Sequence, residues 1–389
     1  MSHRDTEDLV QGLAQSLDQG GWFTKPWMRE AYLAVPRHAF VPDLVWVWDE
    51  SAELYRALRR SQDEDRWHTL VYAREPVVTQ VDDGVERDTG REPTSSLSAP
   101  GAVFAMLGAS DLDVGMRVLE IGTGTGYNAA LLSEWVGAEN VTTIEVDSAV
   151  FARARAALNG CGYRPTAVHA NGEAGYQARA PYDRLLSTAA VRRIPRAWLE
   201  QVRTGGVIVT PFGTAYRNAG LLRLDVDKDA TASGQFVDSV DFMWVRGQRP
   251  SQVRPRREGE PRLSASPIAP QTVTEAGKHA EFAMGLRVPG VRSGHLGTRP
   301  DGTYRLLLWD TRGSYASVHY AGWRDGDGVL QHGPRDLWDE LVAAHTWWDR
   351  HGRPPLTRFG LTVSPSGEHQ VWLNSPDGPT WELRDPREI

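Results

Sequence analysis

Three glycines at alternate positions form the stretch of the sequence with the most specific chemistry. Gly122, Gly124 and Gly126 follow a short apolar run that ends at Ile121, in the sequence Arg-Val-Leu-Glu-Ile-Gly-Thr-Gly-Thr-Gly-Tyr. A buried strand, a tight turn and the start of a helix would give this pattern. Glycine suits such a turn because it accepts a positive φ and places no Cβ between the backbone and a ligand. The stretch therefore predicts a cradle for a nucleotide-like cofactor.

The surroundings of the turn indicate which cofactor it holds. No lysine follows it, as a phosphate-binding loop would require, and the glycines lack the Gly-x-Gly-x-x-Gly spacing of dinucleotide enzymes. Glu145 lies in a second β-rich run, Val141 to Val146, where doubly wound folds place an acid that accepts hydrogen bonds from ribose hydroxyls. A ribose acceptor without a phosphate binder favours S-adenosylmethionine, and another Rossmann-like site remains the alternative.

Length and composition limit the class of protein. The chain has 389 residues and a formal net charge of -7, so we expect two domains and no overall attraction to nucleic acid or an anionic membrane. The single cysteine, Cys161, excludes an internal disulfide framework and a cysteine-based zinc site. The histidines include no His-Glu-x-x-His pattern, so no metal site is expected. Without a signal peptide or an apolar run long enough to cross a bilayer, the chain is expected to be cytoplasmic, with no membrane or nucleic-acid partner.

Other patterns predict the elements that position these residues. Apolar spacing predicts helices over 5–20 and 26–34. Residues 44–93 are expected to contain a helix near Asp49 to Arg60 and an extended piece from Leu70 to Val81. Later in the chain, alternating patterns predict strands, and one stretch has helical spacing. These expectations are strands over 221–226, 236–245, 304–309, 315–320, 358–363 and 370–373, and a helix over 334–350.

Several ordered segments resemble protein L-isoaspartate O-methyltransferases. Val35-Pro-Arg-His-Ala-Phe-Val-Pro42 resembles the element before that family's catalytic core. Ser96-Leu-Ser-Ala-Pro100 resembles the family's Thr-Ile-Ser-Gln-Pro loop, with serine in place of threonine and Ala99 in place of glutamine. Residues 117–213 resemble the family almost continuously, from the glycine turn to Gly205-Gly-Val-Ile-Val-Thr-Pro-Phe-Gly213. Several elements in the right order make this resemblance specific.

The resemblance implies S-adenosylmethionine as cofactor and a carboxylate as methyl acceptor. Ser98, and less directly Ser96, would donate hydrogen bonds to the substrate carboxylate or its backbone. Without the resemblance, N-capping of a helix over 101–107 would be the simpler interpretation of these serines. Asn171 stands where the family usually has an aspartate, and Glu173 competes with it for the adenine side of the cofactor. The implied cofactor contacts are Glu120, Gly122, Thr123, Gly124, Gly126, Tyr127, Glu145, Asn171 and Gly172.

The predicted fold is α/β, a Rossmann-like class I S-adenosylmethionine-dependent methyltransferase with a doubly wound, mostly parallel sheet, plus a small C-terminal α+β domain. We expect a catalytic domain over residues 1–250 with an insertion at about 44–93, a linker over 251–270 and the C-terminal domain over 271–389. The resemblance implies that the ordinary repair enzyme lacks this tail. A similar tail occurs in methyltransferases that accompany bacterial pathways for ribosomally made peptides.

These observations favour a carboxyl O-methyltransferase that acts on an aspartyl or isoaspartyl group, at a side-chain or backbone carboxylate, of a modified ribosomal peptide. Lanthipeptides, lasso peptides and ester-crosslinked graspetides are the substrates that the resemblance implies. The methyl ester would close to an aspartimide, from which isoaspartate can form. A general isoaspartate repair methyltransferase is the alternative within the same class, and a non-catalytic scaffold with a methyltransferase fold is a third. The added segments favour a cyclised precursor peptide as partner, and the oligomeric state stays open.

Overall fold

The described part of the chain contains ten α-helices and three sheets. The computed structural model describes residues 3–85, 87–251, 253–254, 256, 260–298, 303–320 and 328–384. The α-helices of this part are α1 His3–Gln19, α2 Pro26–Ala34, α3 Glu64–Val71, α4 Pro100–Ser110, α5 Tyr127–Val136, α6 Ser148–Gly160, α7 Arg196–Gln201, α8 Pro270–Thr274, α9 Lys278–Arg287 and α10 Leu337–Arg350. The two helices predicted near the N-terminus are confirmed as α1 and α2, and the helix predicted over 334–350 begins at Leu337.

A long mixed sheet lies at the centre of the molecule. Its strands are β6 Val118–Ile121, β7 Val141–Glu145, β8 Thr166–His169, β9 Tyr182–Ser187, β10 Val202–Gly213, β11 Asn218–Val226, β12 Ala232–Ser239, β18 Phe359–Val363, β19 His369–Leu373 and β20 Thr380–Glu382. They lie in the order β20, β19, β18, β12, β11, β10, β9, β6, β7, β8. The last five strands are parallel to one another, and the remaining pairs of neighbouring strands are antiparallel. The strand order reverses beside β6, the position where doubly wound folds bind ligands.

The predicted insertion forms an antiparallel sheet of its own. Its strands are β1 Leu44–Asp49, β2 Leu54–Arg59, β3 Val77–Val81, β4 Thr89–Gly90 and β5 Pro93–Leu97, in the order β4, β2, β1, β3, β5. The predicted helix near residues 49–60 is therefore wrong, because β1 and β2 form a hairpin. Val45 packs on the main core whereas its neighbour Trp46 packs on a separate small cluster. This alternation has the period of a strand, not of a helix.

The extended piece predicted over residues 70–81 is only half correct. Its second half is β3, but its first two residues end α3. The N-cap of that helix is Asp63, whose side chain accepts a hydrogen bond from the backbone N–H of Arg66. The strand expected over 236–245 is also shorter, since β12 ends at Ser239.

The C-terminal part of the chain adds a third sheet and extends the central one. Its antiparallel sheet contains β13 Arg262–Ala265, β14 Arg292–Thr298, β15 Tyr304–Trp309, β16 Tyr315–Tyr320 and β17 Gly328–His332, in the order β13, β17, β16, β15, β14. The strands predicted over 304–309 and 315–320 are confirmed as β15 and β16. Those predicted over 358–363 and 370–373 correspond to β18 and β19, which belong to the central sheet.

The catalytic and C-terminal parts share one sheet and one apolar core. β18 pairs with β12, so that Thr362 lies opposite Ser233, and their hydroxyl oxygens are 2.8 Å apart. Phe236 of β12 meets Phe282 of α9 edge to face, with ring centroids 4.8 Å apart. Within the predicted linker, residues 262–265 form β13 and pair with β17. The division into two domains stays a prediction, and the central sheet crosses it.

Candidate active site

A cavity of about 1130 Å³ opens at the point where the strand order of the central sheet reverses. One wall is the glycine turn together with Glu145, and the opposite wall is β5 with the residues that follow it to Ala99. Residues 239–247, which follow β12, form a third wall. The predicted site residues that line this cavity are Ser96, Ser98, Gly122, Thr123, Gly124, Tyr127, Glu145, Asn171 and Gly172.

Each of the three glycines in the turn adopts a left-handed conformation. Their φ angles are 90° at Gly122, 55° at Gly124 and 91° at Gly126. A Cβ on Gly122 would lie 2.7 Å from the hydroxyl oxygen of Thr188, and one on Gly126 would lie 3.2 Å from Leu158. Gly126 thus packs on α6 beside the cavity, whereas Gly122 and Gly124 line it. The turn requires glycine both for its backbone conformation and for close packing.

The carboxylate of Glu145 fixes the turn from the neighbouring strand. Its Oε2 accepts a hydrogen bond from the N–H of Gly124 at 3.0 Å, and its Oε1 accepts from the N–H groups of Val146 and Asp147 at 2.9 and 3.0 Å. A carboxylate offers about four acceptor positions. Oε2 therefore keeps acceptor capacity at the cavity wall, which suits a ribose hydroxyl.

Glu120 lies beneath the turn and does not line the cavity. Its side chain is fully buried, with Oε1 accepting from Asn128 Nδ2 at 2.7 Å and Oε2 accepting from the hydroxyl of Thr143 at 2.5 Å. Burial raises the pKa of Glu120 to about 7, although these two hydrogen bonds oppose the shift. The geometry does not support the predicted direct contact of Glu120 with a cofactor, and it assigns the residue to support of the turn.

Two buried side chains beside the turn differ in what they present to the cavity. The hydroxyl of Thr123 lies 2.6 Å from that of Thr143, so it faces β7. Asn128, which the sequence analysis missed, lines the cavity, and no described residue is a partner of its buried Oδ1. A buried carbonyl oxygen without a hydrogen bond costs about 1–3 kcal/mol, so Asn128 Oδ1 is a candidate acceptor for a ligand. Its position as the second residue of α5 gave no sequence signal.

Asn171, rather than Glu173, lines the cavity. Asn171 Oδ1 accepts from the N–H of Glu173 at 3.0 Å, and this cap fixes the turn that follows β8. The carboxylate of Glu173 accepts from Gln248 Nε2 at 2.9 Å and supports residues 246–248 from outside. Gly172 is buried beneath, where a Cβ would meet Ile121 at 2.4 Å. Of the two candidates for the adenine side, Asn171 alone lines the cavity, and its contact with adenine stays a prediction.

The serines lie on the wall opposite the glycine turn. Ser96 is in β5, and Ser98 lies between β5 and α4. The N-cap of α4 is Ala99, with no capping hydrogen bond from a side chain, and Pro100 is its first residue. The N-capping interpretation of these serines is therefore wrong. The carbonyl oxygen of Ser96 would lie 3.7 Å from a Cβ on Gly124, so the two walls meet at this point.

A buried arginine holds the serine wall in place. Arg37 is 1 % exposed and donates to the carbonyl oxygens of Val71 and Ser98, each at 2.8 Å. Its guanidinium carbon lies 5.2 Å from the ring centroid of Tyr127, the first residue after the glycine turn. Sequence analysis assigned Arg37 no role, although it belongs to the Val-Pro-Arg segment that carried the resemblance.

Ion pairs join the predicted insertion to residues 246–249 across the mouth of the cavity. Asp83 accepts from both terminal nitrogens of Arg249 at 2.8 and 3.0 Å and lies 3.3 Å from Arg246. Arg246 also donates to Asp147 at 3.1 Å. We call Asp83, Asp147, Arg246 and Arg249 the clasp. The Arg249 guanidinium lowers the pKa of Asp83. Sequence analysis missed the clasp because its partners are far apart in the chain.

The described part of the chain contains neither a metal-binding cluster nor a membrane-spanning helix. No cluster of histidine, cysteine, aspartate and glutamate side chains there could hold a metal ion. None of the helices described above is long and apolar enough to cross a bilayer.

Comparison with known proteins extends the resemblance. The pattern that defines the family protein-L-isoaspartate(D-aspartate) O-methyltransferase (PCMT) matches residues 49–249. A protein-L-isoaspartate O-methyltransferase of Ignicoccus hospitalis is 34% identical over 207 residues, which are 53% of this chain and 82% of that protein. Another, of Thermococcus sibiricus, is 30% identical over 250 residues, 63% of this chain and 97% of that protein.

A solved structure of a protein-L-isoaspartate O-methyltransferase has the same fold. Its TM-score is 0.51 at 21% sequence identity, and the superposition covers 94% of this chain and 100% of that one. The family pattern spans just over half of the chain and includes the glycine turn, Glu145 and both serines. The chain therefore belongs to the protein-L-isoaspartate(D-aspartate) O-methyltransferase family, which are S-adenosylmethionine-dependent protein carboxyl methyltransferases.

Proposed function

We propose that the protein transfers a methyl group from S-adenosylmethionine to an aspartyl or isoaspartyl carboxylate of a modified ribosomal peptide. One observation carries the proposal. The serine wall and the glycine turn face each other across a single cavity and meet where the Ser96 carbonyl approaches Gly124.

The substrate of this proposal is a cyclised precursor peptide, and its product is an aspartimide or the isoaspartate formed from it. A carboxylate is already ionised at neutral pH, so the reaction requires no general base. The residues of the cavity have to hold one carboxylate oxygen in line with the methyl group and exclude water around it. Hydroxyl groups that donate to the other oxygen, from Ser98 and Ser96, suit that task.

The residues of the cavity fit S-adenosylmethionine. When bound, this cofactor supplies an activated methyl group on a sulfonium sulfur. Gly122 and Gly124 allow the backbone to approach it closely, and the Oε2 atom of Glu145 can accept from a ribose hydroxyl. Asn128 Oδ1, which has no partner among the described residues, can accept from a cofactor ammonium, and Asn171 lies where the adenine side is expected.

After methylation, the chemistry of the product follows from the ester itself. The backbone nitrogen of the next residue attacks the ester carbonyl, methanol leaves, and a succinimide ring closes. In a cyclised peptide this ring, or the isoaspartate that forms when water opens it, would be the product. In damaged proteins the same steps would return some normal aspartate.

General repair of isoaspartate is the second candidate function, and it fits the comparisons equally well. The relatives that match residues of the catalytic part carry the name protein-L-isoaspartate O-methyltransferase. The solved structure of that name superposes on 94% of this chain, so it does not support the expectation that such enzymes lack a C-terminal part. What supports a dedicated peptide is the wall that the predicted insertion adds to the cavity, with Tyr55 and Val78 beside the serines.

Mass spectrometry with two substrates tests the proposal. The purified protein is incubated with S-adenosylmethionine and either a generic isoaspartyl hexapeptide or the cyclised peptide encoded beside its gene. We expect the cyclised peptide alone to gain a methyl group and then to show a net loss of one water. Methylation of the hexapeptide instead would support general repair. A protein that binds no cofactor in calorimetry would be a scaffold and would contradict both functions.

A further inference from the structure

The two faces of the N-terminal sheet have different surroundings. Residues of its inner face, among them Val45, Leu58 and Val77, belong to the main apolar core. On the outer face, Trp46 and Val78 are buried in a separate small cluster, against which the half-buried side chains Leu44, Tyr55 and Ala57 pack. The outer face is therefore apolar without being part of the main core.

The strand register places Ser96 on this outer face. Trp46 lies opposite Val78 of β3, and Val78 lies opposite Ser96 of β5. Residues directly opposite each other in an antiparallel pair point to the same side of a sheet. A serine of the proposed active site thus stands in one row with Val78 and Trp46.

The same face continues beyond the cavity to an exposed tryptophan. Trp48 lies opposite Tyr55, and their rings meet at 64° with centroids 5.1 Å apart. Tyr55 and Val78 line the cavity together with Ser96, and Trp48 is 47% exposed. We call Trp46, Trp48, Tyr55 and Val78 the tryptophan face. It runs without interruption from the serine wall to the surface.

An ion pair lies near the exposed end of the tryptophan face, in the hairpin of β1 and β2. Asp49 accepts from Arg56 at 2.6 Å, and Asp49 also accepts from the hydroxyl of Ser51. The rings of Trp48 and Tyr55 are the apolar feature that this end offers to a partner. An apolar or aromatic side chain would bury ring surface there.

We infer that the tryptophan face binds a large apolar side chain of the peptide substrate, three to four residues from the methylated one. This inference rests on the proposed function. Adjacent strands lie about 4.8 Å apart, so β1 is about 10 Å and β2 about 14 Å from β5. An extended peptide advances about 3.3 Å per residue, and three to four residues cover this distance. The occupant is the substrate because the face is continuous with the cavity that holds the reacting groups.

Binding of matched peptides tests the inference without requiring turnover. Isoaspartyl peptides, cyclised like the proposed substrate, are prepared with either Trp or Ser four residues before, or four residues after, the isoaspartate. Their Kd values are measured by calorimetry with the protein saturated with S-adenosylhomocysteine. For one of the two placements, we expect the Trp peptide to bind about tenfold more tightly than its Ser counterpart.

Variants show whether the tryptophan face causes this preference. In Trp48→Ser we expect the ratio of the two Kd values to fall to about twofold or less. Leu33→Ser is the matched control, because Leu33 is a similarly exposed apolar residue, at 38%, on α2. It should keep the tenfold ratio. An equal ratio in Trp48→Ser and the wild type would overturn the inference, as would equal Kd values for the Trp and Ser peptides in both placements or no binding of any of them.

The inference and the proposed function fail in different ways. If the peptides are methylated with the same KM whether they carry Trp or Ser, the tryptophan face has no role and the methyl transfer stands. If the Trp preference is present and depends on Trp48 but no peptide is methylated, the face binds peptides and the proposed reaction is wrong.

Discussion

The glycine turn is held by residues that are close in the sequence, whereas the serine wall opposite is held by residues that are far apart. Gly124 and Glu145, which form the main hydrogen bond of the turn, are 21 residues apart. Ser98 and Arg37 are 61 residues apart, and the clasp joins Asp83 to Arg249 over 166 residues. The cofactor side of the cavity is therefore expected to form from local structure, and the substrate side to depend on the assembled protein. Changes on the two sides should have different effects on cofactor affinity and on turnover.

The largest effect on cofactor affinity is expected for Gly122→Ala. The left-handed backbone would cost about 1–2 kcal/mol with a side chain present, and the new Cβ would also press against Thr188. We expect the Kd for S-adenosylmethionine, measured by calorimetry, to rise at least about tenfold. Gly115→Ala is the control, because Gly115 has a φ of 77° and no described atom within 4 Å of its Cβ position. Equal affinities of the two variants would contradict the proposed role of the turn.

Arg37→Lys should damage turnover more than cofactor affinity. Lysine cannot reach both carbonyl oxygens with the planar geometry of arginine, so Ser98 should shift. A displacement of about 1 Å at a reacting group can lower turnover about a hundredfold. The control is Arg184→Lys, since Arg184 is 6% exposed and donates to three carbonyl oxygens, those of Ser110, Asp111 and Asp183, away from the cavity. It should lower the melting temperature without a comparable loss of kcat. Similar kcat values for both variants would remove the positioning role of Arg37.

Ser98→Ala should reduce turnover and leave cofactor binding nearly unchanged. A hydrogen bond to a charged acceptor contributes about 1.5–3 kcal/mol, so kcat/KM on an accepted peptide should fall about 10–100-fold. Ser96→Ala should have a smaller effect. Ser110→Ala, which removes a buried hydroxyl of α4 outside the cavity, is the control for stability. Unchanged kcat/KM in Ser98→Ala would take Ser98 out of the site.

The smallest effect is expected for Asp83→Asn, which weakens the clasp. Its side chain is 44% exposed, and exposed ion pairs contribute at most about 1 kcal/mol, so cofactor release should accelerate only a few-fold. Added salt should reduce the difference from the wild type. Asp18→Asn is the control, because Asp18 forms a similarly exposed ion pair with Arg29 on the N-terminal helices. Stopped-flow measurement of cofactor release would separate the two variants. Identical release rates would show that the clasp does not retain the cofactor.

The pH dependence of the clasp follows from the lowered pKa of Asp83. Arg249 favours the ionised carboxylate in the folded protein, so this group binds protons less readily there than in the unfolded chain. Its contribution to stability is present above the ordinary aspartate pKa and is lost as the pH falls through the lowered value. The free energies of unfolding of the wild type and Asp83→Asn should therefore differ at neutral pH and become equal in strongly acidic solution.

Local patterns sufficed to predict the glycine turn and most strands. Positive φ at Gly122, Gly124 and Gly126 and the short runs that form β15 and β16 depend on neighbouring residues in the chain. The β1–β2 hairpin was mistaken for a helix because its short apolar runs fit either spacing. Its pairing with β3 favours strands over a helix at this position, and a single sequence does not reveal that pairing.

Motifs did not identify the residues that support the cavity from behind, for a related reason. Arg37 and Asn128 act through partners that the fold brings together, Ser98 in one case and Glu120 in the other. Glu120 was assigned to the cofactor because it precedes the glycine turn, but alternation along β6 turns it into the interior. Motifs thus located the cavity, whereas burial and strand register determine which neighbours face it.

The pairing of β18 with β12 has a consequence for how the protein is made on the ribosome. β12 ends at Ser239 and β18 begins at Phe359, so about 120 residues separate the synthesis of the two strands. At about 5–20 residues per second, β12 waits on the order of ten seconds for its partner. During that interval a nascent chain with its cofactor turn complete still exposes an unpaired strand edge, which can pair with other chains. Slow translation of the last third of the messenger RNA should therefore increase the demand for chaperones.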